Sequence, residues 1–406
     1  MASTDQEIVL RNGDMGSTSS GAYVDDTEHL FQRPNQPHWD MLYYPLALKG
    51  RGSPIQRPDM QLNYPIEHRM VGYSIGDVIL FDTRGFVDFE FNIFVPADSP
   101  LNGMPQDIPE MFSPMLPPLD PANIREDTPF KGHTALEGKS TRKFQVPGYS
   151  AGKIFDAVVQ ERATLTLPEG VISRDVIDVS CFRKYIAANA VGWYKFVNEV
   201  GYRHATNGDL RIVVGWDHCS SWSRASTSSV IVHVPDDSKA TSGSFARFDG
   251  RITGGGTGVL VPMNGDKLLN DGAVYQNQSV FLRTLNISVC ENIWSKLAED
   301  FRPHVERYTR PLPVGTPFKW KSRSIEMHPA NGINALLLKQ KPHAKFALTQ
   351  DSDWISVLKP DDPSLPTADE FLSRILEVYN ICEEDDVIFL EYKPQVSPLL
   401  IKYECN

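Results

Sequence analysis

Several absences narrow what this chain can be. No apolar run approaches the ~18 residues that a membrane-spanning helix requires, and the opening MASTDQEIVL has neither the basic start nor the apolar core of a signal peptide. The five cysteines, Cys181, Cys219, Cys290, Cys382 and Cys405, are odd in number and far apart. Neither a disulfide framework nor a close metal-binding pair is therefore expected, and a reducing, cytoplasmic setting fits best. In that setting the patterns Asn277-Gln278-Ser279 and Asn286-Ile287-Ser288 are chance matches to the glycosylation signal. Positive charge is also scarce. A net charge of -11 with no concentrated Lys or Arg speaks against nucleic acid or an anionic membrane as partner.

Catalytic and cofactor signatures are missing as well. There is no G-x-S-x-G elbow, no H-E-x-x-H helix, and no Lys-Ser or Lys-Thr pair after the glycine run Gly254-Gly255-Gly256-Thr257-Gly258. That run is read as a flexible turn. Asp351-Ser352-Asp353 lacks the glycine and closing glutamate of a calcium loop and reads as a solvated turn, and Glu383-Glu384-Asp385-Asp386 reads as a solvated charge run. No cofactor and no metal are expected.

What is present is an ordinary globular composition, 41% hydrophobic and 22% charged over 406 residues. That length suits one large domain and a smaller one. Residues 1–40 mix Ser, Thr, Gly and acidic residues without hydrophobic period and read as a mobile tail. Residues 41–315 form an expected β-rich α+β domain, and 316–406 a small α/β domain, with the boundary at the prolines between Pro303 and Pro317.

The large domain is expected to be built around one amphipathic helix near Ser180 to Val200. Phe182, Ile186, Ala190, Trp193, Val197 and Val200 recur on one face at steps of three and four. Gly201 is expected to close it in a left-handed conformation, and Asn207-Gly208 to turn the chain into the strand beginning at Leu210. Before it, a hairpin is expected at Asp77 to Ile93, whose return strand alternates Val87, Phe89, Phe91 and Ile93 with Asp88, Glu90 and Asn92, as in a sheet with one wet face. The proline-interrupted stretch from Pro96 to Pro129 reads as a long loop. Strands are expected at Ile154–Val159, Ala163–Leu167, Arg211–Trp216, Val230–Val234, Phe245–Ile252 and Val280–Val289, with the Ser-Thr run Ser223 to Ser229 as a polar hairpin loop. In the C-terminal part a helix is expected around Ala330 to Gln340. A second helix should follow the capping box Thr367-Ala368-Asp369-Glu370, with strands at Val387–Tyr392 and Leu399–Tyr403.

Several spaced blocks carry a resemblance. Gly76-Asp77-Val78, Phe89-Glu90-Phe91-Asn92-Ile93, Leu165-Thr166-Leu167-Pro168-Glu169-Gly170, Gly192-Trp193-Tyr194-Lys195-Phe196-Val197-Asn198 and Ser220-Ser221-Trp222, with His328-Pro329-Ala330 and Ala347 to Trp354, resemble an uncharacterised protein family of mushroom-forming fungi. The resemblance runs from about residue 41 to the end. It implies no activity that can be placed on individual residues. Related segments accompany NTPase-type signalling domains in some fungal proteins, but this chain has no such domain. Ser223 also stands where the family usually has glycine.

Two functional expectations follow. The first is an intracellular protein-interaction or sensor protein, with another protein as partner. Its candidate surface is the proline-rich loop, where Met111, Phe112, Met115 and Leu116 are apolar side chains that a solvated loop has little reason to keep. The competing expectation is that they pin the loop to its own sheet. The second is an enzyme of hydrolase or transferase type, with a site assembled from distant residues around Asp217-His218-Cys219 and with His233 recruited across a hairpin. On a continuous strand, however, His218 and Cys219 point to opposite faces, which disfavours a direct pair.

Overall fold

The chain's structure, a computed structural model, describes residues 43–81, 86–103, 108–110, 112–147, 154–201, 203, 205–235, 242–257, 273–308, 328–360, 362, 366 and 368–393. Within it, residues 139–147, 154–161, 226–235, 242–257 and 302–308 are described by their backbone alone. The strands are β1 (Ser53–Pro54), β2 (Asp77–Phe81), β3 (Val87–Asn92), β4 (Ile124–Phe130), β5 (Thr134–Pro147), β6 (Ile154–Leu167), β7 (Val171–Val176), β8 (Leu210–Cys219), β9 (Ser221–Pro235), β10 (Ser242–Thr257), β11 (Gln278–Val289), β12 (Phe346–Gln350), β13 (Tyr379–Glu384) and β14 (Val387–Tyr392). The helices are α1 (Ile66–Val71), α2 (Ser180–Glu199), α3 (Glu291–Tyr308), α4 (Pro329–Gln340), α5 (Asp351–Ile355) and α6 (Ala368–Val378). The fold is α+β, with helices gathered around largely antiparallel sheets.

Two sheets organise the chain. The larger runs β13-β14-β12-β11-β8-β2-β3, with β1 on β11 and β7 linking β8 to β4. The smaller runs β10-β9-β6-β5, antiparallel throughout. β8 leads through Ser220 alone into β9, so the chain passes from one sheet to the other without a loop.

The helix α2 lies where its periodicity places it. Phe182, Ile186, Ala190, Trp193 and Val197 are buried in the main core with Val78, Phe91, Ile212 and Ile287 of the large sheet. Val200, expected on the same face, is instead exposed. Tyr194 fixes the helix to the sheet, its hydroxyl donating to Ile287 O at 2.7 Å and accepting from Gly208 N at 2.8 Å. Gly208 has φ 99 as the expected turn requires, whereas Gly201 does not adopt a left-handed conformation. Gly201 is needed for closeness: a Cβ there would meet Val197 O at 2.9 Å.

Other expectations are corrected by the pairing. The β2–β3 hairpin has no wet face, because a second apolar cluster of Ile55, Tyr64, Tyr73, Ile79, Phe81 and Phe89 covers the side opposite α2. Its polar residues are satisfied instead: Asn92 donates to Asp77 Oδ1 at 2.7 Å and Arg203 pairs with Glu90 at 3.1 Å. The Ser-Thr run from Ser223 to Ser229 lies inside β9. The glycines Gly254 to Gly256 continue β10, each paired with β9, past a register shift between Ile252 and Gly254, so they lie in a strand beyond a bulge and not in a turn. Ile154 to Leu167 is one strand, and the end of the proline-rich stretch is β4, paired with β7.

The expected separation near Pro303–Pro317 does not divide the sheet. β11 pairs with β12, and Phe346, Leu348, Val387 and Phe389 share the core of α2 with Val78 and Ile212. The capping box at Thr367 and the strand at Leu399–Tyr403 fall outside the described residues. Of the acidic run, Glu383 and Glu384 lie on β13, while Asp385 and Asp386 form a left-handed turn with φ 50 and 65.

Asp351 and Asp353, expected in a solvated turn, are both buried. Asp353 accepts from Gln350 N at 2.7 Å at the start of α5, and burial pushes its carboxyl up to about 7. A carboxyl whose folded value lies above the unfolded one stabilises most below the unfolded value, ~4, and loses that contribution as pH rises through the folded value. Asp353→Asn keeps the shape and cannot ionise. Its melting temperature relative to wild type is therefore expected to increase from pH 5 to pH 8, and a difference that stays flat or falls would contradict the buried carboxyl.

Candidate functional site

The residues Asp217, His218 and Cys219 end β8, where β7 and β11 flank it. Asp217 is fully buried and bound by two arginines. Arg51 donates from Nε at 3.0 Å and Nη2 at 2.7 Å, and Arg283 donates from Nη1 at 2.5 Å. Burial pushes the Asp217 carboxyl up, but Arg283 and Arg51 outweigh it and hold it below the usual carboxylate range. Arg283 also pairs with Asp175 at 2.5 Å, and both arginines donate to Ser173 Oγ. Gly215 leaves room for this knot, since a Cβ there would run into Asp175 and Arg283. The arrangement ties β7, β8, β11 and the segment before β1 together.

His218 and Cys219 are not brought together. The His218 ring stacks on Trp216 with centroids 3.7 Å apart, and burial pushes its pKa down to about 3, so the ring is neutral. Cys219 is buried in a separate apolar cluster, its thiol directed at Gln278 O at 3.5 Å and pushed up to about 12 by burial. A nucleophile must ionise near neutral pH, and this thiol does not. His233 lies on β9, in the four-stranded sheet, whereas β8 pairs with β2, β7 and β11. The expected recruitment of His233 across a hairpin from His218 is not made.

A serine, a histidine and a carboxylate do meet elsewhere. Ser53 Oγ lies 3.1 Å from His328 Nε2 and donates to Asp351 Oδ1 at 2.8 Å. The connectivity is wrong for a triad, because His328 Nδ1 accepts from Ala330 N at the start of α4 and no carboxylate orients it. Arg211 approaches the same ring at 3.0 Å, and burial followed by Arg211 pushes His328 well below its usual range. Asp351 also accepts from Thr284 N and Oγ1, at 2.7 and 2.8 Å, and from Trp354 Nε1 at 3.1 Å. All of these groups are buried, and they join α4 and α5 to β1, β8 and β11. One small cavity, lined by Arg183, Asp353, Phe389 and five further residues, has a volume of about 10 Å³, room for a single water.

The loop candidates divide. Met115 is buried in the main core and donates its N–H to Ile93 O at 2.8 Å, and Phe112 meets Phe91 edge-on with ring centroids 5.6 Å apart. These two pin the loop to its own sheet, which corrects their assignment to a binding surface. Leu116 is exposed, and Met111 falls outside the described residues.

The four-stranded sheet presents a different arrangement. Its root is held in the core by Leu136, Ala163, Leu165, Leu167 and Trp222. Beyond that its strands, of 14 to 16 residues, form a two-hairpin sheet with β5 and β10 at its edges. Directly opposed residues in an antiparallel sheet share a face, so the register sorts every position. On one face of the outer half, Phe144, Ala157, Val232 and Phe245 form one cross-strand row. Val146 opposite Phe155 and Val234 opposite Gly243 flank it on one side, and the row Arg142-Val159-Val230-Arg247, apolar in the middle and basic at both edges, on the other. On the other face the rows are Gln145-Asp156-His233-Ser244, Lys143-Val158-Ile231-Ala246 and Thr141-Gln160-Ser229-Phe248. Nearer the root the apolar face turns polar, with Ser140-Glu161-Ser228-Asp249 in one row. The apolar run Val230-Ile231-Val232, continued at Val234, was the available sequence signal; the shared face of four strands required the register.

No known family profile matches this sequence, and no curated protein matches it. Among solved structures, one described as the cryo-EM structure of the gasdermin A3 membrane pore aligns with 63% of this chain and 91% of that chain, at 11% identity and a TM-score of 0.28, a likeness too slight to bear on fold or function.

Proposed function

We propose that the protein works at a lipid bilayer, with the outer half of its four-stranded sheet seated in one leaflet. The observation that carries this reading is the register, which gathers Phe144, Val146, Phe155, Ala157, Val159, Val230, Val232, Val234 and Phe245 on one face, with Arg142 and Arg247 only at the two edges of its row nearest the root, while the other face is largely polar. A sheet with one apolar and one polar face fits a boundary between hydrocarbon and water. Depth decides between lying in the bilayer and crossing it. Val230 to Val234 spans about 13 Å at ~3.3 Å per residue, well short of a ~30 Å hydrocarbon core. No described helix is long and apolar enough to cross a membrane. The charge supports the same reading, because these strands hold seven Lys and Arg against four Asp and Glu in a chain of net charge -11. Such a local excess favours anionic headgroups. The expected interaction or sensor role becomes recognition of a lipid surface.

Co-sedimentation with phosphatidylcholine vesicles containing phosphatidylserine tests this. The wild type is expected to pellet with them. Val232→Asp should bind at least about tenfold more weakly, as a charge on a lipid-facing strand position does, and Ser229→Asp on the other face should bind like wild type. Wild-type protein that stays in the supernatant would overturn the reading, and so would equal binding by both variants.

A further inference from the structure

We propose that the two edges of the four-stranded sheet pair with each other between copies of this chain, β5 of one copy against β10 of the next. The proposal rests on the bilayer reading above and identifies what closes the sheet there. Among the described strands, β5 pairs with β6 and β10 with β9, which leaves the outer edge of each without a described partner. Each edge presents alternate backbone N–H and C=O groups, and hydrocarbon holds no water to satisfy them. A sheet seated in a leaflet therefore needs a strand on each side.

The topology selects a second copy and the way it docks. β5 and β9 run from root to tip, while β6 and β10 run from tip to root. A neighbour placed side by side, root beside root, sets the partner's β10 antiparallel to β5, so the alternation of the sheet continues unbroken. The apolar faces then stay on one side. Pairing β5 with another β5 by a two-fold axis would also be antiparallel, but it would turn the second copy's tip towards the first copy's root. The two bodies would then lie on opposite sides of the same leaflet, which one bilayer surface does not permit. Heterologous β5–β10 contact remains, and such contacts propagate into closed rings or open arrays.

Charge sets the stagger. With the rows level, Arg142 falls opposite the partner's Arg247, as it lies in the row of Val159, Val230 and Arg247 within one copy. A shift of two residues brings Arg142 opposite the partner's Asp249 instead. It also supplies the shear that a curved, closing sheet requires.

Mixed cross-linking tests the pairing. Ser140→Cys on β5 and Arg251→Cys on β10, which face each other in the shifted register, are bound to the anionic vesicles separately and together, mildly oxidised, and compared with wild type as the control for the five native cysteines. Inter-chain disulfides above the wild-type level are expected only in the mixture. Wild-type protein released from the vesicles by mild detergent should run as species larger than dimers. Cross-links in either variant alone would overturn the heterologous arrangement. Vesicle-bound wild type that is released only as monomers would overturn the pairing while leaving the bilayer reading intact. Failure of the wild type to bind vesicles would remove both.

Discussion

Trp193→Ala is expected to destabilise the protein by about 3–5 kcal/mol, the range for truncating a large aromatic in a packed core. The indole is 2% exposed on the inward face of α2 and meets the rings of Phe91 and Tyr185 at centroid distances of 5.8 Å. Removing it leaves a void between the helix and β3 that Phe91, itself fully buried and touching Phe112 and Phe196, has little freedom to fill. A loss of that size is a large share of the ~5–15 kcal/mol that domains possess. Chemical denaturation should show it as a lower midpoint with depleted soluble protein, and Trp193→Phe should recover most of it. A Trp193→Ala variant that melts like wild type would remove the indole from the core.

The helix was legible because its burial follows from spacing within one short segment. Phe182, Ile186, Ala190, Trp193 and Val197 announce a face whatever lies opposite. The same held for Asn207-Gly208, whose turn is set by local backbone preference. What stayed hidden is where tertiary pairing overrides local preference. Ser223 to Ser229 and Gly254 to Gly256 favour turns when read alone, yet the first lies on the inner strand β9, paired on both sides, and the second on β10 against β9, and the ladder holds each extended. The polar residues of β3 gave the wrong exposure for a related reason. Asp88, Glu90 and Asn92 do alternate, but a register shift between the pairs Val78–Phe91 and Ile79–Phe89 turns Phe91 to the main core and Val87 and Phe89 to the segment from Ile55 to Tyr73, and no period in β3 foretells that bulge or its distant cover.

The sites follow the same division. Adjacent Asp217, His218 and Cys219 drew attention as a cluster, but a strand separates neighbours to opposite faces. His218 and Cys219 accordingly lie in different surroundings, each shifted by burial away from catalysis. The partners that matter to Asp217 are 166 and 66 residues away, at Arg51 and Arg283, with no pattern linking them. The apolar face of the four-stranded sheet is intermediate. Val230, Val232 and Val234 were visible as a strand, whereas their alignment with Phe144 and Phe245 required the register.

Asp217→Asn is expected to cost about 3–5 kcal/mol at pH 7, because removing one partner of a buried ion pair leaves the other charge uncompensated. Arg51 and Arg283 have side chains only 17% and 14% exposed, and both direct donors at this carboxylate. Asparagine keeps the volume and one acceptor, so the loss reports charge and not packing. The direction with pH is fixed by the shift. The folded carboxyl titrates below its ordinary value, so its contribution is present above the unfolded value, ~4, and is lost as pH falls through the folded one. The gap between Asp217→Asn and wild type should therefore narrow steadily below about pH 4. Because Asp217 joins β8 to β11 and, through Arg51 and Ser173, to β7, the variant is expected to loosen the ground on which the four-stranded sheet stands. Urea melts of both proteins at pH 7 and at lower pH measure the effect. A penalty under about 1 kcal/mol at pH 7, the value of an exposed pair, would show that the two arginines find other partners and that the knot does not hold these strands.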